Sequence, residues 1–575
     1  MSAVATPPAA KHAEPETHQQ TGDAPAIVQL PPRHTDEGAR GRRLESLAVF
    51  TLFALAFGAL GYWVVCTLHV VPFDALDRLT RGLMVWHNDP PKLAAIGFAF
   101  PPLTTVVLLP FVVVTSVASS LVSLPVCSAI FGGITMVGLN RAMDRAEIGP
   151  ARYGLLVLIA LNPLVAFAAA SGGGDIVGIA FATIAVTALV GWYATVDTRY
   201  LVSGGLAFAF ASLASYGFIP WFLLGAALVG VTLSRHRAAD EEIEGSLILF
   251  LVPGVFMIGL WVLLSAVVVG EPVFWLTDAA TTTVNAASSG SIPPSLGDVL
   301  SQTAELVVLG APLAIVVAPA LIACAIAQRN ELAAWLVVFL IVSIATPGAL
   351  ALARDDLAQI DLQDALPILV VSIVGILWLF QSLPQARPLV LVLGALGLAV
   401  SIPITWRALD VYPYQSMEQA FQRAVKTGDD QEGTLSRGGL EVGILSERAM
   451  AEFLDDDRAR VLTDNAQTFG VIGLTGRPSQ FLDRADGGDD AWRRAARRPP
   501  ADIKYFLFAK NAKGDELRSM YPLAARGEDP RFLTVFDTPR YRLVAVPADL
   551  GRVDAVRAGD LPVSPTTSGA TATTP

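Results

Sequence analysis

Long apolar runs recur along most of this chain and leave it few ways to fold. A bilayer's hydrocarbon core is crossed by about 20 residues of α-helix, because a helix pairs all of its backbone groups internally. Hydrophobic residues make up 53% of the sequence and charged residues 16%. The apolar runs fall near 45–66, 103–119, 121–140, 153–170, 176–195, 200–215, 218–234, 246–270, 302–327, 331–350, 365–381 and 388–405. The chain is therefore expected to be an α-helical polytopic membrane protein.

The arginines between the runs indicate how many of them cross. Cytoplasmic loops are enriched in Lys and Arg, and an Arg-rich stretch at 40–43 precedes the first run. If every run crossed, most loop arginines would lie outside, which inverts this rule. The run 103–119 opens after paired prolines and is interrupted by Pro110. We therefore predict about 11 transmembrane helices, a cytoplasmic N-terminus and an extracytoplasmic C-terminus, with 92–119 lying at or dipping into the membrane surface.

Outside the runs, the composition indicates three further parts. Residues 408–555 are charged and mixed, with β-like runs at 459–464, 503–509 and 540–546 and helical patterns at 446–455 and 489–497 between them. Strands that alternate with helices predict a small α/β domain, extracytoplasmic by the orientation above. The predicted domains are a disordered cytoplasmic tail (1–43), a transmembrane domain (44–407), the α/β domain (408–555) and a second disordered tail (556–575).

Several classes of protein and site find no support. The sequence contains no basic stripe of the kind that binds nucleic acid. Cys66, Cys127 and Cys324 all lie in apolar runs and are typical of small core residues, not of a disulfide set. No metal-ligand spacing occurs, so no metal site and no cofactor are predicted, although a divalent cation is left open.

Three places predicted to face outward carry the polar chemistry. Charges beside the hydrocarbon are costly, so those that are kept usually serve a site or a fold constraint. The places are a first loop with Asp74, Asp77, Arg78, Arg81, His87, Asp89 and Lys92, the turn Ser171-Gly-Gly-Gly-Asp175, and Ala214-Ser-Tyr216-Gly-Phe218. If Asp74 and Asp175 meet in one cleft, a carboxylate there can take a proton from an attacking hydroxyl. Cations such as Arg78, Arg81 or Lys92 could hold a lipid phosphate.

Each residue also has a plainer interpretation. Asp74 and Asp77 would cap a helix that begins around Ala75, and Asp175 would cap the helix after the glycine turn. His87 is typical of a surface histidine. Arg78 and Arg81 would only extend their side chains toward the membrane–water interface.

The same residues resemble a known family. Asp74-Ala-Leu-Asp-Arg78, Asp89-Pro-Pro-Lys-Leu-Ala-Ala-Ile-Gly-Phe98 and Pro101-Pro-Leu103 are similar to segments of the GT-C superfamily of multi-spanning glycosyltransferases. This group uses polyprenyl-phosphate sugars and includes the protein O-mannosyltransferase-like enzymes; the likeness is greatest to an uncharacterised bacterial branch. The similarity continues at Asn162-Pro163 and Gly270-Glu-Pro-Val-Phe274.

The resemblance implies a function in the cell membrane. A sugar, hexosyl or pentosyl, would move with inversion from a polyprenyl-phosphate lipid to an envelope glycan or protein acceptor on the extracytoplasmic face. Asp74 would be the catalytic base and Asp175 the second acid. Asp77, His87, Asp89 and Tyr216 would contact the acceptor or the loop. Membrane lipids are the other expected partners, and nucleic acid is not.

One departure from the family pattern keeps two alternatives open. Where the family has an Arg-Tyr-Glu-like element, this chain has Ser215-Tyr216-Gly217-Phe218. Because the Arg and the Glu are missing, a GT-C-shaped scaffold or partner protein without catalysis is the first alternative. A lipid or solute transporter is the second, although neither clear repeats nor paired broken helices support it.

Overall fold

The computed structural model of the protein describes residues 36–547 except 90, 99, 274–293, 414, 437–440, 485–487 and 511–514; for 36–39, 465–467 and 488–489 it describes only the backbone. The predicted tail 556–575 lies outside the described residues, as does 1–35 of the other tail. Residues 36–43, which the sequence assigns to that tail, already belong to the first helix.

Sixteen α-helices of the described chain precede the C-terminal part. They are α1 (Asp36–Gly61), α2 (Phe73–His87), α3 (Leu103–Val106), α4 (Thr115–Ser119), α5 (Ser123–Arg145), α6 (Ala151–Ala160), α7 (Pro163–Ala170), α8 (Asp175–Thr195), α9 (Thr198–Ala214), α10 (Ile219–Arg235), α11 (Asp240–Val268), α12 (Leu296–Glu305), α13 (Leu313–Ala327), α14 (Glu331–Arg354), α15 (Ala365–Ser382) and α16 (Arg387–Val411).

These helices account for every predicted span. Within the described residues, eight helices are long and apolar enough to cross a membrane, and ten spans result if each of two bent helix pairs counts as one. Helix α9 has 17 residues, about 25 Å of helix at 1.5 Å per residue, and coincides with the remaining predicted span. The helical membrane architecture is thus confirmed, while the exact number of crossings stays a prediction.

The two bends have local causes. Helices α6 and α7 meet at 70°, where Pro163 lacks the N–H that would continue the first helix. The side chain of Asn162 instead accepts a hydrogen bond from Leu164 N at 3.1 Å, which starts a new helix. The segment Leu296–Gly310 meets α13 at 97°, with Pro312 immediately before the second helix.

Residues 92–119 form no continuous helix. They contain two short α-helices, α3 and α4, and two 3₁₀ turns, Leu93–Ile96 and Leu109–Phe111. Prolines at 101, 102 and 110 interrupt the run, as the sequence predicts. None of these pieces is long enough to span the hydrocarbon region.

The C-terminal part is built around a mixed sheet. Its helices are α17 (Ser416–Thr427), α18 (Leu445–Asp456), α19 (Asn465–Thr475), α20 (Gly488–Arg497), α21 (Glu516–Met520) and α22 (Pro522–Arg526). Its strands are β1 (Arg460–Thr463), β2 (Phe481–Leu482), β3 (Ile503–Ala509), β4 (Leu533–Asp537) and β5 (Tyr541–Ala545), in the order β2-β1-β3-β5-β4. Strands β1, β2 and β3 pair in parallel, and β5 pairs antiparallel with β3 and β4. The three predicted strands and both predicted helices are all present.

This domain rests on α2, the helix within the first loop. Thr80 of α2 donates a hydrogen bond to Phe469 O of α19 at 2.8 Å. Two glycines of α19 make the close approach possible, since a Cβ at Gly470 would lie 3.1 Å from Leu76 and one at Gly473 would overlap Thr80. The sheet domain therefore helps to fix the position of α2.

Candidate active site

Helix α2 presents Asp74 from its first turn. Its N-cap is Pro72, in extended conformation, and no side chain caps the helix. The capping interpretation of Asp74 and Asp77 is therefore wrong, because both lie inside the helix. A carboxylate in the first turn is still favoured by the helix dipole. Asp74 is 61% exposed, so it is open to a ligand.

Arg78 lies one turn further along α2 and binds Asp74. Its guanidinium forms an ion pair with the Asp74 carboxylate, and its Nε donates to the Asp74 backbone carbonyl at 3.0 Å. The Arg78 side chain is only 15% exposed. It is therefore held in place by the protein and does not simply extend toward the interface.

The glycine turn brings the second predicted acid to the same place. Gly172 has φ +83, a left-handed conformation that favours glycine, and its N–H donates to Ser128 Oγ at 3.2 Å. At Gly174 a Cβ would overlap the Arg78 guanidinium and lie 2.8 Å from Thr104 Cγ2. The turn thus packs directly against Arg78, which a larger residue at 174 would prevent.

Asp175 is the first residue of α8. The N-cap of this helix is Gly174, so Asp175 does not cap it as the plainer interpretation holds. The side chain is exposed, although 78% of the α8 span is buried. Asp175 is therefore accessible at the end of an otherwise buried helix, and we call the place where it lies beside the glycine turn, Arg78 and Asp74 the recess. The charges of Asp74, Arg78 and Asp361 all act on Asp175, so these four groups share one electrostatic environment.

Three acids near this recess are absent from the sequence prediction. Asp361 caps the 3₁₀ turn Leu362–Asp364, and Asp361 N donates a hydrogen bond to Asp364 Oδ2 at 3.0 Å. Gln363 of the same turn donates to Glu418 Oε1 of α17 at 2.9 Å. The sequence does contain a signal for the first two of these acids, because Asp361-Leu-Gln-Asp364 directly precedes an apolar run, where charge is costly.

Burial makes this group of acids hold protons strongly. The pKa of Asp361 is raised by desolvation and by the charge of Asp74, against the opposing effect of its hydrogen bonds. The pKa of Glu418 is raised by desolvation and by the charge of Asp361. Carboxyl groups with shifted pKa values are typical of functional sites, although structural networks of ion pairs also produce such shifts.

Arg81 and Asp77 form a separate pair. Arg81 Nε lies 2.7 Å from Asp77 Oδ2, and both side chains are about one-fifth exposed. The guanidinium also lies over the Phe100 ring at 4.9 Å and against Gly97, whose φ is +84. These contacts hold the 92–119 segment on α2, which gives Arg81 a structural role that the sequence did not predict.

The remaining predicted residues serve the same segment. Tyr216 donates its hydroxyl to Phe100 O at 3.1 Å and accepts from Trp261 Nε1 at 3.3 Å. His87 Nε2 lies 3.0 Å from Val113 O. Lys92, half-buried, precedes the turn Leu93–Ile96, and Asp89 is exposed just after α2. The structure thus brings Asp74, Arg78 and Asp175 together and makes Tyr216 and His87 loop contacts.

Comparison with known proteins identifies the fold. No protein-family model matches the chain, and no curated protein matches its sequence. The structure of ArnT from Cupriavidus metallidurans bound to undecaprenyl phosphate aligns with a TM-score of 0.52 and 15% identity, covering 88% of this chain and 98% of that one. The apo structure of the same protein aligns with a TM-score of 0.51 and 11% identity over 89% and 99%.

This likeness extends over the membrane helices and the sheet domain. It confirms the predicted GT-C fold and a multi-pass membrane protein with a C-terminal sheet domain. An oligosaccharyltransferase from Archaeoglobus fulgidus, tethered with an acceptor peptide, aligns at 11% identity over 81% and 69%. Its TM-score of 0.43 is too low to support an argument.

Proposed function

We propose that this protein is a membrane glycosyltransferase that takes a sugar from a polyprenyl-phosphate donor and transfers it, with inversion, to a cell-envelope acceptor on the extracytoplasmic face. The observation that carries the proposal is the convergence of Asp74, Arg78 and Asp175 at one recess within a GT-C fold. A fold alone does not determine activity, so the site has to supply the chemistry. A solved relative in fold, ArnT, has been seen bound to undecaprenyl phosphate, which supports the lipid class of the donor.

Asp74 is the proposed general base. The acceptor hydroxyl gives its proton to the Asp74 carboxylate while its oxygen bonds to the anomeric carbon of the sugar. The bond from that carbon to the phosphate oxygen breaks on the opposite face, and its electron pair leaves with the lipid phosphate.

Arg78 is the better placed of the predicted phosphate ligands. It lies between Asp74 and the glycine turn and is held there by packing. A fixed guanidinium stabilises the charge that develops on a departing phosphate without further reorganisation. Arg81 is occupied by Asp77 and Phe100, so we assign it to the loop.

An apolar groove offers space for the lipid chain. It measures about 490 Å³ and runs between α1, α6, α7, α16 and α17. Its lining includes Phe57, Ala160, Trp406 and Phe421, and Phe421 shares α17 with Glu418. Filling it with Ala160→Trp should raise KM for a long-chain polyprenyl donor and leave a short-prenyl donor unaffected. Equal effects on both donors would remove the groove from the proposal.

The decisive experiment compares two neighbouring acids of α2. Asp74→Asn keeps the size of the side chain but removes the base, and loss of a general base typically costs about 10²–10⁴-fold in rate. Asp77→Asn is the matched control, because Asp77 faces Arg81 and not the glycine turn. The measurement is transfer of labelled sugar from a polyprenyl-phosphate donor, with the melting temperature of both variants in detergent. Full transfer by Asp74→Asn would refute the assignment of the base.

The scaffold alternative has one observation in its favour. At Ser215–Phe218 the chain lacks the family's charged pair, and Tyr216 binds the backbone of the loop instead. If the wild-type protein transfers sugar from no polyprenyl-phosphate donor but binds a membrane partner, the scaffold becomes the function supported by that result.

A further inference from the structure

A second polar cluster lies where the chain leaves α1. His69 stands between α1 and α2, and its Nδ1 lies 2.9 Å from Asp430 Oδ1 and 3.6 Å from Glu432 Oε2. One metal-ligating atom from each of these three residues lies within 4.8 Å of the other two. We call His69, Asp430 and Glu432 the loop-anchor cluster. The sequence could not indicate it, because His69 and Asp430 are 361 positions apart.

The cluster contains a buried oxygen that lacks a partner. The Glu432 side chain is 11% exposed, and within the described part of the chain its Oε1 has no hydrogen-bond partner although it is shielded from solvent. Arg448 Nη1 binds the other oxygen of this carboxylate at 3.0 Å. A buried carboxylate oxygen without a donor is disfavoured unless a cation or an ordered water supplies the contact. A cation or an ordered water beside Oε1 would satisfy it.

The charges and the access fit a cation. Two carboxylates and an imidazole face each other, and Arg448 compensates only one of the two carboxylate charges. Asp430 is 52% exposed, which gives an ion a path from solvent. An imidazole nitrogen with two carboxylate oxygens suits a borderline transition metal better than Mg²⁺ or Ca²⁺, which prefer oxygen ligands alone.

We propose that the loop-anchor cluster binds one divalent transition-metal ion of the Mn²⁺ or Zn²⁺ class, with water completing its coordination. Binding through Nδ1 uses the tautomer of His69 that carries its ring proton on Nε2. Gln431 N already donates to Leu68 O at 3.0 Å between the same two segments. The ion would add a cross-link between the start of the first loop and the sheet domain, and so fix the approach to Asp74.

This site neither includes Asp74 or Asp175 nor depends on the proposed activity. Its test uses the full-length protein in detergent, stripped with EDTA and titrated with MnCl₂, with bound metal counted by mass spectrometry. About one ion per chain is expected. His69→Gln and Glu432→Gln should each weaken binding at least about 10-fold, as loss of a metal-supporting residue commonly does.

A matched control separates this cluster from other histidine–carboxylate pairs. His236 Nε2 lies 3.5 Å from Glu331 Oε2, and among the residues that the structure describes these two belong to no three-residue ligand group. His236→Gln should therefore leave Mn²⁺ binding unchanged. Asp430→Asn changes a half-exposed side chain, so it is expected to fold even if the two more buried variants do not, and it should also weaken binding. Absence of bound Mn²⁺ in the wild type, or unchanged affinity in Asp430→Asn, would overturn the proposal.

Discussion

Replacing Gly174 by Ala tests whether Arg78 and the glycine turn really share one site. A Cβ at this position would overlap the guanidinium and lie 2.8 Å from Arg78 Cζ, where about 3.4 Å is an ordinary contact. The guanidinium would have to move until its Nη1, the atom nearest the added Cβ, is clear of it, and this takes it away from the position in which it binds Asp74. Gly174 itself has φ −80, so alanine meets no backbone strain there.

The expected cost follows from these contacts. Overpacking of this kind costs about 1–3 kcal/mol of stability. The lost ion pair adds little, since Asp74 is largely exposed and surface pairs contribute about 0–1 kcal/mol. A misplaced catalytic group should matter more for activity, and we expect sugar transfer to fall by about 10²-fold.

Gly173→Ala is the matched control within the same turn. Its Cβ would lie 3.5 Å from Ser171 Oγ and 3.6 Å from Asp175 Oδ2, which are ordinary contacts. Melting temperature in detergent and transfer of labelled sugar are measured for both variants, and again in an Arg78→Ala background. If the two alanines behave alike, or if the loss caused by Gly174→Ala persists unchanged without the Arg78 side chain, the packing argument is refuted.

Three further results are expected. For topology, Asp490→Cys, at a 96% exposed position of the sheet domain, should react with an impermeant maleimide in intact cells, and Glu241→Cys only after lysis; the opposite pattern would reverse the predicted orientation. For pH, burial raises the pKa of Glu418 in the folded protein above its usual value near 4.5. The contribution of Glu418 to stability is therefore complete below pH ~4.5 and is lost as the pH rises through the folded pKa. Glu418→Gln should therefore flatten the decline in melting temperature above pH ~4.5, and an unchanged pH profile would contradict the raised pKa. Tyr216→Phe removes the hydrogen bond to Phe100 O and should speed proteolytic cleavage within 92–119, whereas Tyr200→Phe should not; equal cleavage of both would disprove the tether.

The sequence was sufficient for the architecture because the bilayer leaves so few alternatives. Apolar length predicted the membrane helices, since only helices satisfy the backbone in hydrocarbon, but it did not show that two of the runs are bent helix pairs. Prolines predicted the broken 92–119 segment, because each removes a helical hydrogen bond. In the sheet domain, β1, β3 and β5 were recognisable, whereas the two-residue β2 was too short to leave a pattern.

What only the tertiary structure decided is which polar groups meet. The sequence showed that Asp74, Arg78, Arg81 and Asp175 are unusual, but not that Arg78 packs under Gly174 while Arg81 turns to Asp77 and Phe100. Neighbours on one helix point in different directions, and their partners come from loops distant in the chain. Asp361, Glu418 and the loop-anchor cluster were missed for the same reason: hydrophobic periodicity reports which face of an element is buried, whereas a site depends on contacts between elements far apart in sequence.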